Sequence, residues 1–292
     1  MAIKGVAKGL GFDCRHLKQV GSTQDYLREL VLKGEALAGT VVLAEGQSAG
    51  RGRFGHSWQS PSGLGLWMSL YLQPQLPLER AVEWQMRLSL SVCQALERVV
   101  PDLKVRLKWP NDWVCPEGKK LGGLLIENVV QGGKVQGSLV GIGLNILQQE
   151  FGEDLPWATS LVLLKAPLSV DHGVAQVRDE VLDALNWTLS PEEIQSSPKQ
   201  GWLKDCTARL YGLGKVVVLE KDREQQPQEV LEAVLLGLDE NGRLQVAPLR
   251  SGSSPGQGVS VEPGSVQNLD HPQYRLRYGC VKNYPTTVHE SR

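Results

Sequence analysis

The sequence has few of the features that mark secreted, disulfide-rich or zinc-binding proteins. Its 292 residues include five cysteines, which are scattered, and no C-x-x-C pair occurs. An odd number of scattered cysteines argues against a disulfide framework and against a zinc site. We therefore expect a reducing compartment, in which each thiol packs as a small apolar side chain. The cysteines are Cys14, Cys93, Cys115, Cys206 and Cys280.

Long apolar runs and a surplus of one charge are also missing. No stretch approaches the roughly 18 apolar residues that cross a bilayer, and the opening MAIKGVAKGLGF lacks the apolar run of a secretory signal. The formal net charge is −1, so no overall basic field attracts nucleic acid or an acidic membrane. These absences predict a cytoplasmic protein that binds neither DNA nor a membrane.

The pattern of apolar residues indicates mixed α and β structure. With 41% hydrophobic and 22% charged residues, the composition is that of an ordinary globular protein. Apolar spacing and turn signals separate the elements. Helices are predicted at 22–33, 80–99, 170–189 and 201–210. Strands are predicted at 40–45, 65–72, 105–108, 124–130 and 135–144, the last two as a hairpin.

After Gly212 the pattern changes to short strands with turns between them, including the strong turn signal Asn241–Gly242. This pattern predicts a small all-β unit, an SH3-like barrel. The predicted divisions are therefore residues 1–210, the β unit 211–272, and a polar tail 273–292.

A glycine-rich basic segment, GQSAGRGRFGHSW, occupies residues 46–58. Its four glycines allow close approach of the backbone to a ligand, and successive N–H groups there can form an anion-binding concavity. Arg51 and Arg53 add permanent planar charges that suit carboxylates and phosphates. By itself, the segment is equally compatible with a solvated surface loop.

Three further segments carry candidate chemistry. The first, KWPND at 108–112, has a compact cation in Lys108 and an oxygen ligand for magnesium in Asp112, which Asn111 would assist. The second, KKLGGLLIE at 119–127, places Lys120 before two glycines and an apolar strand, while Lys119 suits the surface. The third, GIGLN at 141–145, lacks the third glycine of a dinucleotide-binding fingerprint, which argues against a Rossmann site.

Together these segments resemble the catalytic domain of biotin–protein ligases. The family's GRGRxGRxW, KWPND, K-L-G-G/A-I-L-x-E and G-x-G-x-N motifs stand here, in order, as GRGRFGHSW, KWPND, KLGGLLIE and GIGLN. Ser22–Thr23 matches the family's Ser-Thr before its first catalytic helix. The resemblance spans about residues 12–270, but His56 stands where family members often have Arg. Because the chain begins close to that helix, it resembles the ligase-only group, without a DNA-binding domain.

The resemblance implies an α+β fold, similar to that of class II aminoacyl-tRNA synthetases, with a largely antiparallel sheet and helices packed against one side. It implies ATP-dependent attachment of biotin, through biotinyl-5′-AMP, to a lysine of the biotin carboxyl carrier protein of acetyl-CoA carboxylase. Mg²⁺ would accompany ATP, and a homodimer is possible through an exposed sheet edge. The sequence leaves open a lipoate–protein ligase, an octanoyl transferase, or a biotin-binding module without catalysis.

The same resemblance implies roles for individual residues. Catalysis would depend on Arg53, Lys108 and Lys120. Biotin would be bound by Ser22, Thr23, Gln47, Gly50, Arg51, Trp58, Lys120, Gly122, Gly141 and Gly143. ATP and the adenylate would be bound by Arg51, Arg53, Lys108, Asn111, Asn145 and Trp157, with Trp157 stacked on adenine. The metal ligand would be Asp112.

Overall fold

An eight-stranded mixed sheet forms the larger part of the protein. The computed structural model describes residues 11–189, 199–221, 230–249, 259–261, 267–269, 274–282 and 286–288. The strands of the large sheet are β1 (Asp13–Val20), β2 (Thr40–Gln47), β3 (Gly65–Leu72), β4 (Leu76–Pro77), β5 (Arg106–Lys108), β6 (Asp112–Val114), β7 (Lys120–Gln131) and β8 (Lys134–Asn145).

The large sheet is largely antiparallel, as predicted. Its order is β1-β2-β3-β8-β7-β6-β5, with β4 paired to β8 outside this path. The β1/β2 pair is parallel, and the other pairs are antiparallel. The predicted hairpin between β7 and β8 turns at Gly132 and Gly133, both with positive φ. Glycine adopts this conformation without the steric penalty of a side chain.

Two helices pack together on one face of the sheet. The helices are α1 (Thr23–Leu32), α2 (Ala81–Val99), α3 (Gly173–Thr188) and α4 (Lys199–Ala208). Helices α2 and α3 share the main core with alternate residues of β2, β3 and β8, including Leu43, Met68 and Ile142. Because side chains alternate across a strand, these residues define one face.

Helix α1 corrects the expectation that the helices lie on one side. Leu27 and Leu30 of α1 form a second core with Val42, Tyr71 and Leu139, which come from the same strands but point the other way. Each of these three strand residues alternates with members of the main core, so α1 covers the opposite face. Helix α1 begins at Ser22, whose hydroxyl accepts a bond from the Asp25 N–H.

The residues that the structure describes after α4 form strands, in agreement with the predicted change of pattern. The strands of this β unit are β9 (Val216–Lys221), β10 (Val230–Leu238), β11 (Leu244–Pro248), β12 (Val259–Val261), β13 (Gln267–Leu269), β14 (Tyr274–Lys282) and β15 (Thr286–Val288). Five of them form an antiparallel sheet in the order β13-β11-β10-β9-β14, while β12 pairs with β15. The prediction of a polar tail from residue 273 is wrong for β14, which pairs with β9.

The β unit is hydrogen-bonded to the hairpin of β5 and β6. The Leu107 N–H donates to the Arg209 carbonyl, and the Tyr211 N–H donates to the Leu107 carbonyl. The buried Trp109 indole donates to the carbonyl of Gly242, in the predicted turn. These hydrogen bonds therefore connect the β unit to the KWPND segment and hold that segment in place.

Four cysteines lie where side chains are described, and all four are free thiols. Cys93, Cys115 and Cys206 are buried, as expected, but Cys14 is exposed. Burial raises the pKa of the Cys206 thiol to about 12, which makes it unreactive near neutral pH. None of the helices among the described residues has the length and apolar character that a bilayer crossing requires.

The packing of α1 can be tested with two leucines of the same helix. Leu27 is fully buried, whereas Leu32 is 79% exposed. We expect Leu27→Ala to lower the free energy of unfolding by about 2–5 kcal/mol, because it leaves a cavity between α1 and the sheet. Leu32→Ala should change it by less than about 0.5 kcal/mol. Equal midpoints for the two variants in urea denaturation would contradict the placement of α1.

Candidate functional site

A single large cavity of about 590 Å³ collects most of the predicted site residues. It opens over strands β2, β3, β6, β7 and β8 and over the segment that follows β8. One part, here called the first wall, consists of Ser22, Thr23, Gln47, Trp58, Ser69, Gly141 and Gly143. Another part, here called the second wall, consists of Asn145, Gln148, Phe151, Leu155, Trp157 and Ala158.

Polar groups of the first wall are held by a continuous hydrogen-bond network. Gln47 Oε1 accepts from the Thr23 N–H at 2.8 Å and from the Thr23 hydroxyl at 3.1 Å. Gln47 Nε2 donates to Ser60 Oγ, and the Thr23 hydroxyl also pairs with Ser69. Thr23 and Ser69 are buried, so their hydroxyls and the Gln47 amide stand in fixed positions at the cavity.

Glycines of β8 allow the indole of Trp58 to reach the sheet. A Cβ added to Gly143 would lie 2.8 Å from Trp58 Cε2, which is closer than real carbon atoms approach. The ring of Trp58 also packs edge-on against Trp67, with 6.4 Å between centroids. Gly143 therefore provides the room for an aromatic wall that a larger residue would displace.

A buried carboxylate between two lysines is the main electrostatic feature of the site. Asp112 Oδ1 lies 2.9 Å from Lys120 Nζ, and Asp112 Oδ2 lies 3.7 Å from Lys108 Nζ. Lys108 is 5% exposed and Asp112 is 9% exposed. The register pairs Lys108 with Asp112, and Asp112 with Gly123. The ends of three adjacent strands thus bring these charges together.

Lys120 contacts both walls. Its Nζ lies 4.9 Å from the ring centroid of Trp58 and 5.8 Å from that of Trp157, distances at which a cation is attracted to an aromatic face. The Lys120 N–H donates to the Trp157 carbonyl at 2.7 Å. This bond fixes the loop that carries Trp157 to the start of β7.

Two arginines of the glycine-rich segment have different surroundings. Arg53 Nη1 donates to Asn111 Oδ1 at 2.9 Å, and Asn111 Nδ2 donates to the Leu124 carbonyl. Arg53 is therefore joined to the KWPND segment. Arg51 is more exposed and pairs instead with Asp25 of α1, at 2.6 Å.

Asp25 also pairs with Arg28, which in turn binds Glu127 of β7 at 2.6 Å. The hydrogen bond to Glu127 raises the pKa of the Arg28 guanidinium. This chain of alternating charges links the glycine-rich segment to helix α1 and the sheet at the cavity rim. Its members are partly exposed, so their pairing contributes to orientation more than to stability.

Comparison with known proteins gives a consistent assignment. A sequence model of the Biotin/lipoate A/B protein ligase family matches residues 17–145. The biotin–[acetyl-CoA-carboxylase] ligase of Mycobacterium tuberculosis is 31% identical over 256 residues, which cover 86% of this chain and 87% of that protein. The chain belongs to the biotin protein ligase family.

Two further similarities agree with membership in the biotin protein ligase family. The bifunctional ligase/repressor BirA of Bacillus subtilis is 38% identical over 145 residues, 49% of this chain and 44% of that protein. The matched part of the chain thus spans less than half the length of that bifunctional relative. The biotin protein ligase of Aquifex aeolicus, solved in complex with biotin and ATP, aligns with a TM-score of 0.66 at 26% identity, covering 91% of this chain and 99% of that one.

Most of the predicted site residues line the cavity, but two glycines do not. Gly50 packs inside its own loop, where an added Cβ would lie 2.5 Å from the Trp58 carbonyl oxygen. Gly122 faces the core, since its Cβ would meet the Leu144 side chain. Its neighbour Gly123 lines the cavity instead and permits the close approach of Asp112. Neither glycine is therefore among the residues that line this cavity, and the binding of biotin by their backbone groups stays a prediction.

Several cavity residues were missed by the sequence analysis. Gln24, Ser69 and Gln148 are buried polar residues that line the cavity, and Glu220 reaches the cavity from β9. Buried polar side chains on apolar elements are a signal for a ligand site, but their burial is not readable from the sequence. Glu220 lies far along the chain from the last motif, which ends at Asn145, so only the tertiary fold joins it to the motifs.

The exposure of Lys119, Lys120 and His56 can be compared with what the sequence predicts for them. Lys119 is exposed, as expected for a surface residue, whereas Lys120 is partly buried in the cavity. His56 also lines the cavity but is exposed. At this rim position an imidazole stands in place of the permanently charged guanidinium that arginine would supply.

Asp112 does not fit the predicted role of metal ligand in this arrangement. Both of its carboxylate oxygens face lysine ammonium groups. In the part of the chain that the structure describes, no group of three or more His, Cys, Asp or Glu residues is placed to hold a metal ion. A carboxylate already neutralised by two cations has little charge left for a third. Asp112 instead holds the two lysines in place.

The role of Asp112 predicts a loss of stability when its charge is removed. Asp112→Asn leaves Lys108 and Lys120 close together without their counter-charge, so the free energy of unfolding should fall by about 3 kcal/mol. Asp183→Asn, at an exposed position of α3, serves as the control and should change it by less than about 0.5 kcal/mol. Chemical denaturation followed by circular dichroism measures both, and unchanged stability of Asp112→Asn would rule out the proposed pairing.

Proposed function

We propose that this protein is an ATP-dependent biotin–protein ligase. It forms biotinyl-5′-AMP and then transfers biotin to a lysine of the biotin carboxyl carrier protein of acetyl-CoA carboxylase. The observation that carries this proposal is the position of Lys120, which contacts both aromatic walls of one cavity and the buried pair of Asp112 and Lys108. The names of the relatives and the ligands of the Aquifex aeolicus structure support the same activity.

The first step requires two anions to meet. A biotin carboxylate oxygen forms a bond to the α-phosphorus of ATP, and the bond from that phosphorus to pyrophosphate breaks. Fixed cations screen the repulsion and stabilise charge on the transferring phosphoryl group. Lys108, Lys120 and Arg53 supply this charge from a cavity wall whose geometry is set before substrate arrives. No residue is needed as a covalent nucleophile.

In the second step, the neutral amine of the carrier lysine attacks the acyl carbon of the mixed anhydride. An amide bond forms, AMP leaves with the electron pair of the broken acyl–oxygen bond, and the amine loses a proton. The protein contributes position and electrostatics, which can account for most of such a rate enhancement. Arg51, exposed and paired with Asp25, lies at the rim, where the glycine-rich segment can cover the adenylate.

The first wall suits biotin. The Ser22, Thr23 and Gln47 groups supply donors and an acceptor for the ureido ring, and Trp58 supplies an apolar surface for the thiophane ring and chain. Gly141 and Gly143 give the ring room against β8. The second wall, with Trp157 and Asn145, suits a nucleotide base. A base stacked on Trp157 would bury the facing surfaces of the two rings.

Several parts of the proposal go beyond these contacts. A requirement for Mg²⁺ stays a prediction, and the ion would be held mainly by the ATP phosphates. We assign the C-terminal β unit to the SH3-like barrel class because five of its strands form one antiparallel sheet. A homodimer, the absence of DNA binding and a cytoplasmic location also stay predictions.

The direct test is one incubation of the purified chain with biotin, MgATP and a biotin carboxyl carrier domain. Intact mass spectrometry should show the carrier gaining one biotinyl group, at its acceptor lysine, only when all components are present. A carrier whose acceptor lysine is replaced by arginine is the matched control. If the mass of the carrier is unchanged after incubation with biotin, MgATP and folded enzyme, the proposal is overturned.

A lipoate–protein ligase and a biotin-binding module without catalysis are the two alternative functions. Lipoate–protein ligases fall within the matched family description, and they would use the same cations with a longer apolar slot. The acid that triggers ATP–pyrophosphate exchange, biotin or lipoate, separates the two. A binding module without catalysis would bind biotin but show no exchange with either acid.

The lysine pair at 119–120 offers a matched test of mechanism. We expect Lys120→Ala to lower the rate of biotin-dependent ATP–pyrophosphate exchange about 100-fold or more, because it removes a preorganised charge at the reacting phosphorus. Arg53→Ala should also lower it. The neighbouring Lys119→Ala removes an exposed charge and should leave the rate near that of the wild type. Equal rates for the two lysine variants, with both folded, would contradict the assignment of Lys120.

A further inference from the structure

Gln148 on the second wall has no role in the chemistry described above. It lies three residues after β8, is 6% exposed, and lines the cavity. Its backbone carbonyl accepts a hydrogen bond from the Ser160 hydroxyl, and the Ile146 carbonyl accepts one from the Val162 N–H. The side chain therefore projects from a segment whose backbone is held at two points.

The side-chain oxygen of Gln148 is buried without a hydrogen-bond partner among the residues that the structure describes. Most buried polar side-chain atoms in folded proteins have a hydrogen-bond partner, and an exception at a cavity points to a partner that a bound ligand supplies. Two other residues that line the same cavity, Gln24 and Trp58, also carry such an atom. Of the seven such atoms among the described residues, three thus belong to residues of the cavity, where a bound ligand can complete their hydrogen bonds.

The second wall defines which ligand group meets Gln148. Trp157 offers an aromatic face, and Leu155 and Ala158 add apolar surface, which suits a flat base. An acceptor on a residue of such a wall selects for a donor on the base. Adenine carries an exocyclic amino group at ring position 6, whereas guanine carries a carbonyl oxygen there. Two acceptors facing each other would be left unpaired, and a site with buried polar groups rejects such a ligand.

We propose that Gln148 is a base-specificity residue, whose Oε1 accepts a hydrogen bond from the exocyclic amino group of adenine. This inference rests on the proposed function, because it takes ATP as the nucleotide. It adds a side-chain readout of the base to the stacking on Trp157. Loss of a single neutral hydrogen bond corresponds to roughly a tenfold change in affinity.

The test removes the bond from each side in turn. Gln148→Met keeps the length of the side chain and removes both polar atoms, and purine riboside triphosphate lacks the amino group of ATP. For the wild type we expect KM to be about tenfold lower for ATP than for the analogue in biotin-dependent pyrophosphate exchange, with similar kcat. Gln148→Met should lose this preference and accept both nucleotides with KM near the wild-type value for the analogue.

Two controls separate recognition from general effects. Gln148→Glu keeps an acceptor oxygen at the same place and should retain the preference for ATP, even where its charge weakens the binding of both nucleotides. Gln176→Met, at an exposed position of α3, should behave as the wild type. A wild type without preference between the nucleotides, or a Gln148→Met variant with the preference intact, overturns the inference.

Failure of the proposed function has a different signature. In that case the wild type supports no exchange with either nucleotide, whatever residue stands at position 148. Calorimetric titration of ATP and of purine riboside triphosphate into the wild type and Gln148→Met then decides the role of Gln148 from binding alone. The same tenfold preference, lost in the variant, supports the inference, and equal affinities overturn it.

Discussion

The contact between Asp112 and the two lysines is the interaction on which the site depends. Two ammonium groups within one poorly solvated wall would repel each other and lose hydration, and a carboxylate between them offsets both costs. Because Lys108, Asp112 and Lys120 come from three adjacent strands, the sheet must form before the charges can meet. The cation cluster is thus a product of strand register, and it is in place before any substrate binds.

Small residues beside this cluster determine what fits around it. Gly123 leaves room for Asp112, and Gly143 leaves room for Trp58. The glycines lie on adjacent strands and directly opposite each other in the register. This explains why the motifs contain glycine at positions inside strands, where it otherwise lowers stability. The C-terminal β unit supports the cluster indirectly, because the Trp109 indole, next to Lys108, donates a hydrogen bond to the Gly242 carbonyl.

Sequence reasoning located the elements well where the apolar pattern was strong. The helix at 80–99 and the strand at 65–72 agree with α2 and β3 to within a residue. It erred where the answer depends on which side of a sheet a residue faces. Gly123 lines the cavity rather than its neighbour Gly122, because a shift of one residue reverses the face of a strand. The side on which α1 packs and the pairing of β14 with β9 likewise depend on partners far along the chain.

The sequence by itself determined which chemical groups are present and in what order. Glycines, lysines, an aspartate and tryptophans in four spaced segments were sufficient to indicate a family and a class of reaction, because each motif is local. Only the tertiary structure decided that Lys120 stands between two aromatic walls and that Gly50 and Gly122 turn away. It also decided that Gln148 and Glu220 enter the same cavity. Distances between segments follow from strand pairing and burial, which arise from the whole chain at once.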